Sequence, residues 1–249
     1  MIDCVAILLG RKGSKGMPGK NTMRIFGKPI SHYPMLAASN SKYISDIFLS
    51  TDDENIKIEA KNFNVHTINR PQELCTDAAL FEDALIHGYR EIIKKLKRTP
   101  DIVVILMCNA PTINSELIDS GIEALINDPE ADSAVTVTML NMYSPLRARK
   151  LAPSGYLEPF VPFEAFGDPA TLSCDRDSQG DVFFADMSHS VSRSRALDDI
   201  AEGLLPQRWM GKKIIPVYQS YGCDIDAEWQ VGASEWWITQ NGLGKTLAE

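Results

Sequence analysis

The sequence lacks a cysteine framework. Its five cysteines are odd in number, widely spaced and without a C-x-x-C pair, which argues against both a set of disulfides and a zinc knuckle. We therefore expect a reducing compartment and predict a cytoplasmic protein. The four histidines share no spacing typical of metal ligands, so we expect structural roles for them.

Long apolar runs and an excess of positive charge are also missing. No run approaches the ~18–20 apolar residues of a membrane span, and the first one leads into Arg11 rather than a signal-peptide cleavage site. We expect a soluble protein without a membrane partner. The formal net charge of −8 argues against nucleic-acid binding through bulk charge, but a local basic patch can still bind a phosphate ligand.

What is present favours an α/β fold. The chain has 249 residues, of which 44% are hydrophobic, enough for one large domain that we predict to span 1–249. Short β-rich runs alternate with amphipathic stretches, which is typical of βαβ units and a doubly wound, mostly parallel sheet. The predicted strands are Val5–Leu9, Ile47–Ser50, Val65–Ile68, Ile102–Met107, Ala134–Leu140, Val182–Ala185 and Ile214–Tyr218.

The helices are predicted from apolar residues at helical spacing. One covers 80–96, with Thr76 or Asp77 as its cap, and another follows Ser115. Asp52 and Asp53 are expected to cap a helix beginning near residue 55, and Arg70 to anchor the loop that leads to Asp77. A last helix is predicted within 226–240, with an apolar side that packs in the core or a dimer contact. That side contains Trp229, Ala233, Trp236 and Trp237.

Residues 142–180 break this alternation. The segment has no clear periodicity, and its five prolines exclude long helices and central strands. An irregular stretch of this length inside a domain is typical of an insertion, a lid or an arm. We interpret it as an arm.

The opening stretch L-L-G-R-K-G-S-K-G-M-P-G-K-N, at 8–21, places four glycines at intervals of three and four cations among them. A glycine turn after a buried strand exposes backbone N–H groups to phosphate oxygens, and cations add charge-assisted bonds. It is not a Walker A loop, because Gly13 and Gly19 are one residue too far apart and Asn21 replaces the magnesium-binding hydroxyl. We predict a polyphosphate site, with a solvated basic loop as the alternative.

This stretch resembles the signature A-R-x-x-S-K-G-x-x-x-K-N of CMP-sialic acid synthetases and their relatives, the acylneuraminate cytidylyltransferases. Further matches follow in the family's order and cover most of the chain. They are F-G-K-P-I at 26–30, L-S-T-D-D at 49–53, R-P-x-E-L at 70–74, T-D at 76–77 and D-I-D at 224–226.

The resemblance implies a Rossmann-like fold, an arm at 142–180 that forms a homodimer, and transfer of CMP from CTP to an acidic acceptor with Mg²⁺. Arg11 and Lys20 would be catalytic, and Asp224 and Asp226 would bind the metal. Nucleotide binding would fall to Arg11, Ser14, Lys15, Lys20, Asn21, Asp77 and Ala79.

The sequence alone leaves the metal assignment open. Carboxylates one residue apart on an extended strand point to opposite faces, so Asp224 and Asp226 reach one metal only if the chain turns, which Gly222 favours. The alternative is an acidic turn that caps the last helix.

Departures from the family pattern leave the acceptor open as well. L-M-C-N-A-P-T-I at 106–113 lacks the glutamine and arginine of the family's L-Q-P-T-S-P-L-R, and Phe81 replaces a small polar residue that often helps to read cytosine. The candidate acceptors are a sialic acid-like nonulosonic acid and a smaller anion such as a phosphonate. The alternatives are a nucleotidyltransferase of the same fold using another nucleotide, and a non-catalytic nucleotide-binding protein. Candidates to meet the acceptor's acid group are Arg147, Arg149, Lys150 and Arg176.

Overall fold

The computed structural model describes residues 2–13 and 16–244. Ser14 and Lys15, both predicted to bind the nucleotide, lie outside the described residues. The chain forms two compact units: one comprises the described parts of 1–136 and 186–249, and the other is Val137–Ala185. The second unit contains the whole predicted arm and extends beyond it by five residues on each side.

A seven-stranded sheet forms the core of the fold, in the order β11-β7-β10-β6-β1-β4-β5. Its strands are β1 (Cys4–Leu9), β4 (Ile44–Thr51), β5 (His66–Asn69), β6 (Ile102–Met107), β7 (Ser133–Met139), β10 (Phe183–Arg193) and β11 (Ile214–Tyr218). Two short pairs are the remaining strands of the described residues: β2 (Arg24–Ile25) with β3 (Lys28–Pro29), and β8 (Arg149–Leu151) with β9 (Leu157–Pro159).

The centre of the sheet is parallel. β1 pairs in parallel with β4 and β6, and β4 pairs in parallel with β5, whereas β10 runs antiparallel to β6. All six residues of β1 are buried, as expected of a parallel strand covered on both faces. The predicted α/β fold with a mostly parallel, doubly wound, Rossmann-like sheet is confirmed.

Strand β10 is longer than the predicted Val182–Ala185. Its extension alternates buried serines with other residues, so it lacks the apolar pattern by which a buried strand is recognised. The serine hydroxyls are satisfied internally, since Ser190 accepts a hydrogen bond from the Trp209 indole N–H and Ser192 donates one to the Trp209 carbonyl. Satisfied hydroxyls let polar residues occupy a central strand.

Six helices accompany the sheet in the described residues: α1 (His32–Ser39), α2 (Glu54–Ala60), α3 (Phe81–Leu96), α4 (Ser115–Asn127), α5 (Ser194–Asp198) and α6 (Glu228–Gln240). Asp53 caps α2 as expected, because its side chain accepts a hydrogen bond from the Asn55 N–H. The predicted cap of α3 is wrong: its N-cap is Leu80, which makes no side-chain cap bond. Asp77 instead pairs with Arg11.

The unit Val137–Ala185 has little regular structure, as its prolines predict. It contains the β8–β9 hairpin and short 3₁₀ turns. Asn141 organises it: its amide N–H group donates to Asp177 and Asp181, and its side-chain oxygen accepts from the Val182 N–H.

No helix in the described ranges 2–13 and 16–244 is both long and apolar enough to cross a membrane.

The C-terminal helix confirms the predicted core packing for one of its tryptophans. Trp237 is 1% exposed and packs with Ile25, Tyr33 and Ile225, whereas Trp229 and Trp236 are 67% and 51% exposed. One of the three tryptophans therefore belongs to the core. Successive residues of a helix lie about 100° apart around its axis, so Trp236 points away from the side on which Trp237 packs.

This difference predicts unequal costs for two neighbouring substitutions. Trp237→Ala should lower the free energy of unfolding by about 3–5 kcal/mol, since it removes a fully buried ring and leaves a cavity. Trp236→Ala, the matched control, should change it by less than about 0.5 kcal/mol. Urea unfolding followed by circular dichroism measures both, and equal losses would contradict this packing.

His189 on β10 is a second buried feature with a measurable consequence. Neither ring nitrogen has a hydrogen-bond partner within the described part of the chain. Burial lowers the pKa of His189 from 6.5 to about 3. The folded protein therefore keeps this ring neutral at a pH where the unfolded chain binds a proton.

Because the folded pKa lies below the unfolded one, His189 costs stability as the pH falls from about 6.5 towards 3. Between pH 7 and pH 5 the wild type should lose about 2 kcal/mol more unfolding free energy than His189→Leu, which cannot be protonated. Urea unfolding at pH 7, 6 and 5 tests this. Parallel pH profiles for the two proteins would show that His189 does not contribute to the pH dependence of stability.

Candidate active site

A cavity of about 740 Å³ opens in the larger unit where β1 and β6 end. Leu9 and Gly10 line it from the end of β1, and Met107 and Asn109 from the end of β6. Ligands of open α/β sheets bind outside the carboxyl ends of the strands, so this is the expected position for a site.

The glycine loop enters the cavity through a close backbone approach. A Cβ on Gly10 would lie 2.7 Å from the Cys108 Cβ and 2.8 Å from its Sγ, so no larger residue fits there without displacing β1 or the chain after β6. Gly19 has a φ of +76°, which favours glycine at the turn into Lys20–Thr22. The loop therefore needs glycine both to leave the strand and to return to the cavity.

Two of the predicted cations reach the cavity and already have acidic partners. The Arg11 guanidinium lies 2.5 Å from the Asp77 carboxylate and also donates to the Cys75 carbonyl at 3.5 Å. The Lys20 ammonium contacts the Asp226 carboxylate. All four charged groups of these two pairs line the same cavity.

Asn21 supports the glycine loop through a hydrogen bond, whereas Ala79 only lines the cavity. Asn21 is 7% exposed and its side-chain N–H group donates to the Arg11 carbonyl at 3.1 Å, so it holds the glycine loop in place. Ala79 lines the cavity between Asp77 and the start of α3. The structure thus brings every described member of the predicted nucleotide set to one cavity.

The predicted metal ligands line this cavity too. Residues 221–226 have no regular secondary structure, so the chain is not held as an extended strand. Ile225 is fully buried between the two acids, and its N–H donates to the Asn109 carbonyl at 2.8 Å. The Asn109 side-chain N–H group lies 3.3 Å from the Asp224 carboxylate. Both Asp224 and Asp226 therefore reach one cavity.

The electrostatics of the acid pair suit a cation. Burial, and then the neighbouring Asp226 carboxylate, raise the pKa of Asp224. The described residues contain no group of three or more His, Cys, Asp or Glu able to hold a metal ion. Mg²⁺ is commonly bound by one or two carboxylates together with substrate phosphates and waters, so two hard oxygen ligands fit that cation.

Cys108 lies beside the loop but is unsuited to nucleophilic chemistry. Its thiol is buried, and burial raises its pKa to about 12. Because the thiolate is the nucleophilic form of cysteine, this side chain acts as packing under Gly10.

Arg70 is half-buried directly after β5 and also lines the cavity. It donates to the Ser50 side-chain oxygen at 3.2 Å and to the Ser50 carbonyl at 2.7 Å. Burial lowers the pKa of its guanidinium. Arg70 therefore braces the end of β4 rather than only the loop to Asp77.

Sequence reasoning missed the apolar end of the cavity. Phe81 and Trp209 pack there with ring centroids 4.7 Å apart, and Met187 and Gln207 also line the cavity. Met187 has a φ of +63°, unusual for a side chain of its size. The only signal in the sequence was Phe81; R-W-M at 208–210 carries no recognisable pattern.

The four cations of the predicted arm have partners within their own unit. Arg147 donates to the Cys174 carbonyl, and Lys150 pairs with Glu158 at 3.3 Å. Arg149 lies over the Phe163 ring, and Arg176 pairs with Asp177. None of these contacts tests their predicted role toward an acceptor.

The comparisons with known proteins show which family the chain belongs to. The family model described as cytidylyltransferase matches residues 5–153, more than half of the chain. The chain belongs to the cytidylyltransferase family. The matched region contains the glycine loop, Arg70, Asp77 and Asn109, whereas the acid pair lies beyond it.

Curated relatives within this family differ in the acids that they are named for. The chain is 27% identical over 130 residues to 3-deoxy-manno-octulosonate cytidylyltransferase of Bdellovibrio bacteriovorus, covering 52% of this chain and 49% of the relative. It is 30% identical over 129 residues to pseudaminic acid cytidylyltransferase of Campylobacter jejuni, covering 50% and 53%. The chain thus spans about half the length of these relatives.

A solved structure extends the likeness to nearly the whole chain. CMP:2-keto-3-deoxy-manno-octonic acid synthetase complexed with CTP superposes with a TM-score of 0.67 at 16% identity, covering 96% of this chain and 99% of that one. At this identity the likeness shows the fold.

The close approach at Gly10 generates a paired prediction. Gly10→Ala should lower the free energy of unfolding by about 1–3 kcal/mol, because the added methyl group overpacks against Cys108. Gly232→Ala, on α6 with open space around the added Cβ, should instead raise it by about 0.4–1 kcal/mol. Urea unfolding compares the two. Tolerance of alanine at Gly10 would contradict the close approach.

Proposed function

We propose that the protein is a CTP-dependent cytidylyltransferase that transfers CMP to an acidic sugar and releases pyrophosphate. One observation carries the proposal: in a member of the cytidylyltransferase family, Arg11, Lys20, Asp224 and Asp226 line a single cavity. A glycine loop with cations and a carboxylate pair on one cavity suit a nucleoside triphosphate better than a neutral ligand.

The nucleotide would exchange the ion contacts of the cavity. Arg11 and Lys20 now contact Asp77 and Asp226. Incoming phosphates would take over both cations, and the freed Asp226 would then face the phosphates together with Asp224. Carboxylates beside phosphates repel them, so this exchange requires a cation between the two groups.

Asp224 and Asp226 are the residues that would hold Mg²⁺. When bound, this ion would supply positive charge that offsets the negative charge of the phosphate oxygens. The remaining work falls to the chain's own groups: the loop N–H groups orient the triphosphate, and Arg11 and Lys20 stabilise charge that develops on the pyrophosphate leaving group.

In the proposed reaction the acceptor's hydroxyl oxygen bonds to the α-phosphorus of CTP. The bond from that phosphorus to the bridging oxygen breaks, pyrophosphate leaves with the electron pair, and the hydroxyl proton passes to solvent or to a phosphate oxygen. No protein nucleophile takes part, in agreement with the buried and protonated state of Cys108.

For the acceptor we propose an acidic sugar of the 3-deoxy-manno-octulosonate or nonulosonic acid type. The support comes from the relatives, which are named for 3-deoxy-manno-octulosonate and for pseudaminic acid. The Phe81–Trp209 wall adds an apolar surface to the cavity, which favours an acceptor or a base with a face free of charge.

We extend the proposal to a homodimer formed through the unit Val137–Ala185. Tyr156, Leu157 and Phe160 are each more than 60% exposed within it. Clusters of exposed apolar side chains are typical of protein interaction surfaces, and a second copy of the chain is the partner that the family resemblance implies.

The proposal is tested by pyrophosphate release with CTP, Mg²⁺ and a panel of 3-deoxy-manno-octulosonate, nonulosonic acids and small phosphonates. Asp226→Asn should lower the rate at least about 100-fold, because one of two metal-binding carboxylates is lost. Asp119→Asn is the matched control, since its carboxylate contacts Ser41 and does not line the cavity.

The outcomes separate the candidate functions. Release with one acid and CTP would identify reaction and acceptor together, and repetition with ATP, GTP and UTP would give the base preference. Full activity of Asp226→Asn would overturn the metal assignment. Binding of CTP without release on any acceptor would indicate a nucleotide-binding protein instead.

A further inference from the structure

The segment that carries the acid pair has no strand or helix of its own to fix it. Backbone groups in such a segment need partners elsewhere, and a metal site needs its ligands held closely in place. Ile225 supplies part of the answer, since its N–H donates to the Asn109 carbonyl and its carbonyl accepts from the Asn109 side chain at 3.2 Å. The backbone groups on either side of Ile225 form their hydrogen bonds with another residue.

That residue is Gln230, in the first turn of α6. Its side-chain oxygen accepts from the N–H groups of Asp226 at 2.8 Å and Ala227 at 2.7 Å. Its side-chain N–H group donates to the Asp224 carbonyl at 3.0 Å. One planar amide therefore bonds to the backbone of both acids, before and after the buried Ile225.

We propose that Gln230 is a positioning residue for the Asp224–Asp226 pair: its side-chain amide fixes the turn that directs both carboxylates into one cavity. The inference rests on the proposed function, because it concerns the residues assigned to the metal. It goes beyond that assignment by naming a residue that lines no part of the cavity and matches no motif in the sequence.

The chemistry of the amide explains why glutamine serves here. The turn presents two N–H donors and one carbonyl acceptor, so the bridging group must accept and donate at once. Glutamate would lose the donor and add a third negative charge beside the pair, while asparagine is one methylene shorter. A neutral amide of this length makes all three bonds without altering the charge at the cavity.

A purely structural explanation is that Gln230 only caps α6, since it sits at the third helical position and bonds back to the residue before the helix. The two explanations differ in what a substitution should change. Loss of a cap lowers stability alone. Loss of a positioning residue also weakens the binding of a divalent cation at the carboxylates.

Gln230→Met tests this, because it keeps the side-chain length and removes all three bonds. Gln230→Ala is the second variant. Asn114→Ala is the matched control, since Asn114 caps α4 through a 2.9 Å bond to the Leu117 N–H and does not line the cavity. The probe is Mn²⁺, titrated by water-proton relaxation into the full chain with saturating CTP, and melting temperatures are measured in parallel.

Both Gln230 variants should raise the dissociation constant of protein-bound Mn²⁺ roughly 10-fold or more. Asn114→Ala should lower the melting temperature while leaving Mn²⁺ binding unchanged. If the wild type binds Mn²⁺ and both Gln230 variants bind it equally well, Gln230 is only a helix cap and the inference is overturned. If the wild type itself binds none, the metal assignment in the proposed function is wrong, and the inference falls with it.

Discussion

The parallel pairing of β1 with β6 is the constraint on which the site depends. Its register sets Leu9 beside Met107, so the two chains leave the sheet at the same level. Gly10 then passes against Cys108, and Asn109 follows directly at the cavity. From there Asn109 holds Ile225, and through it the acidic segment, although Asn109 and Asp224 are 115 positions apart in the sequence.

The charges of the cavity are arranged as two opposed pairs rather than as a uniformly basic patch. Arg11 with Asp77 and Lys20 with Asp226 neutralise each other in a chain whose overall charge is −8. Such a cavity attracts a phosphate less strongly than free cations would, but it discriminates better, because the ligand must replace both contacts at once. Under the proposed function, a nucleotide with its cation would meet that condition, whereas a lone anion would meet only half of it.

Local patterns were sufficient to predict much of this molecule. The buried strands β1, β4 and β6 are recognisable as apolar runs. The glycine loop is recognisable from the spacing of its glycines and from the cations among them. Asp53 was identified as a helix cap because an N-cap bond spans two residues and is readable locally. The prediction that the nucleotide-binding residues and the acid pair share one site rests on the family resemblance, since no local sequence rule connects Lys20 to Asp226.

What the sequence could not show are the contacts that depend on distant residues. Strand β10 was underestimated because its serines are satisfied by Trp209, a partner outside the strand. Asp77 was mistaken for a cap because the position of Arg11 is set by the sheet. Trp229 and Trp236 are exposed whereas Trp237 is buried, and residue type alone does not distinguish the three. The placement of α6 against Ile25 and Ile225 decides which ring is buried.

The same reasoning explains why Gln230 escapes a motif search. A metal ligand is recognisable by residue type, but a group that orients a ligand through backbone bonds can be any side chain of suitable length and polarity. Gln230 acts on Asp224 and Asp226 through N–H and C=O groups that every sequence possesses. The precision of the acid pair is thus encoded in α6, a helix whose sequence by itself predicts only packing.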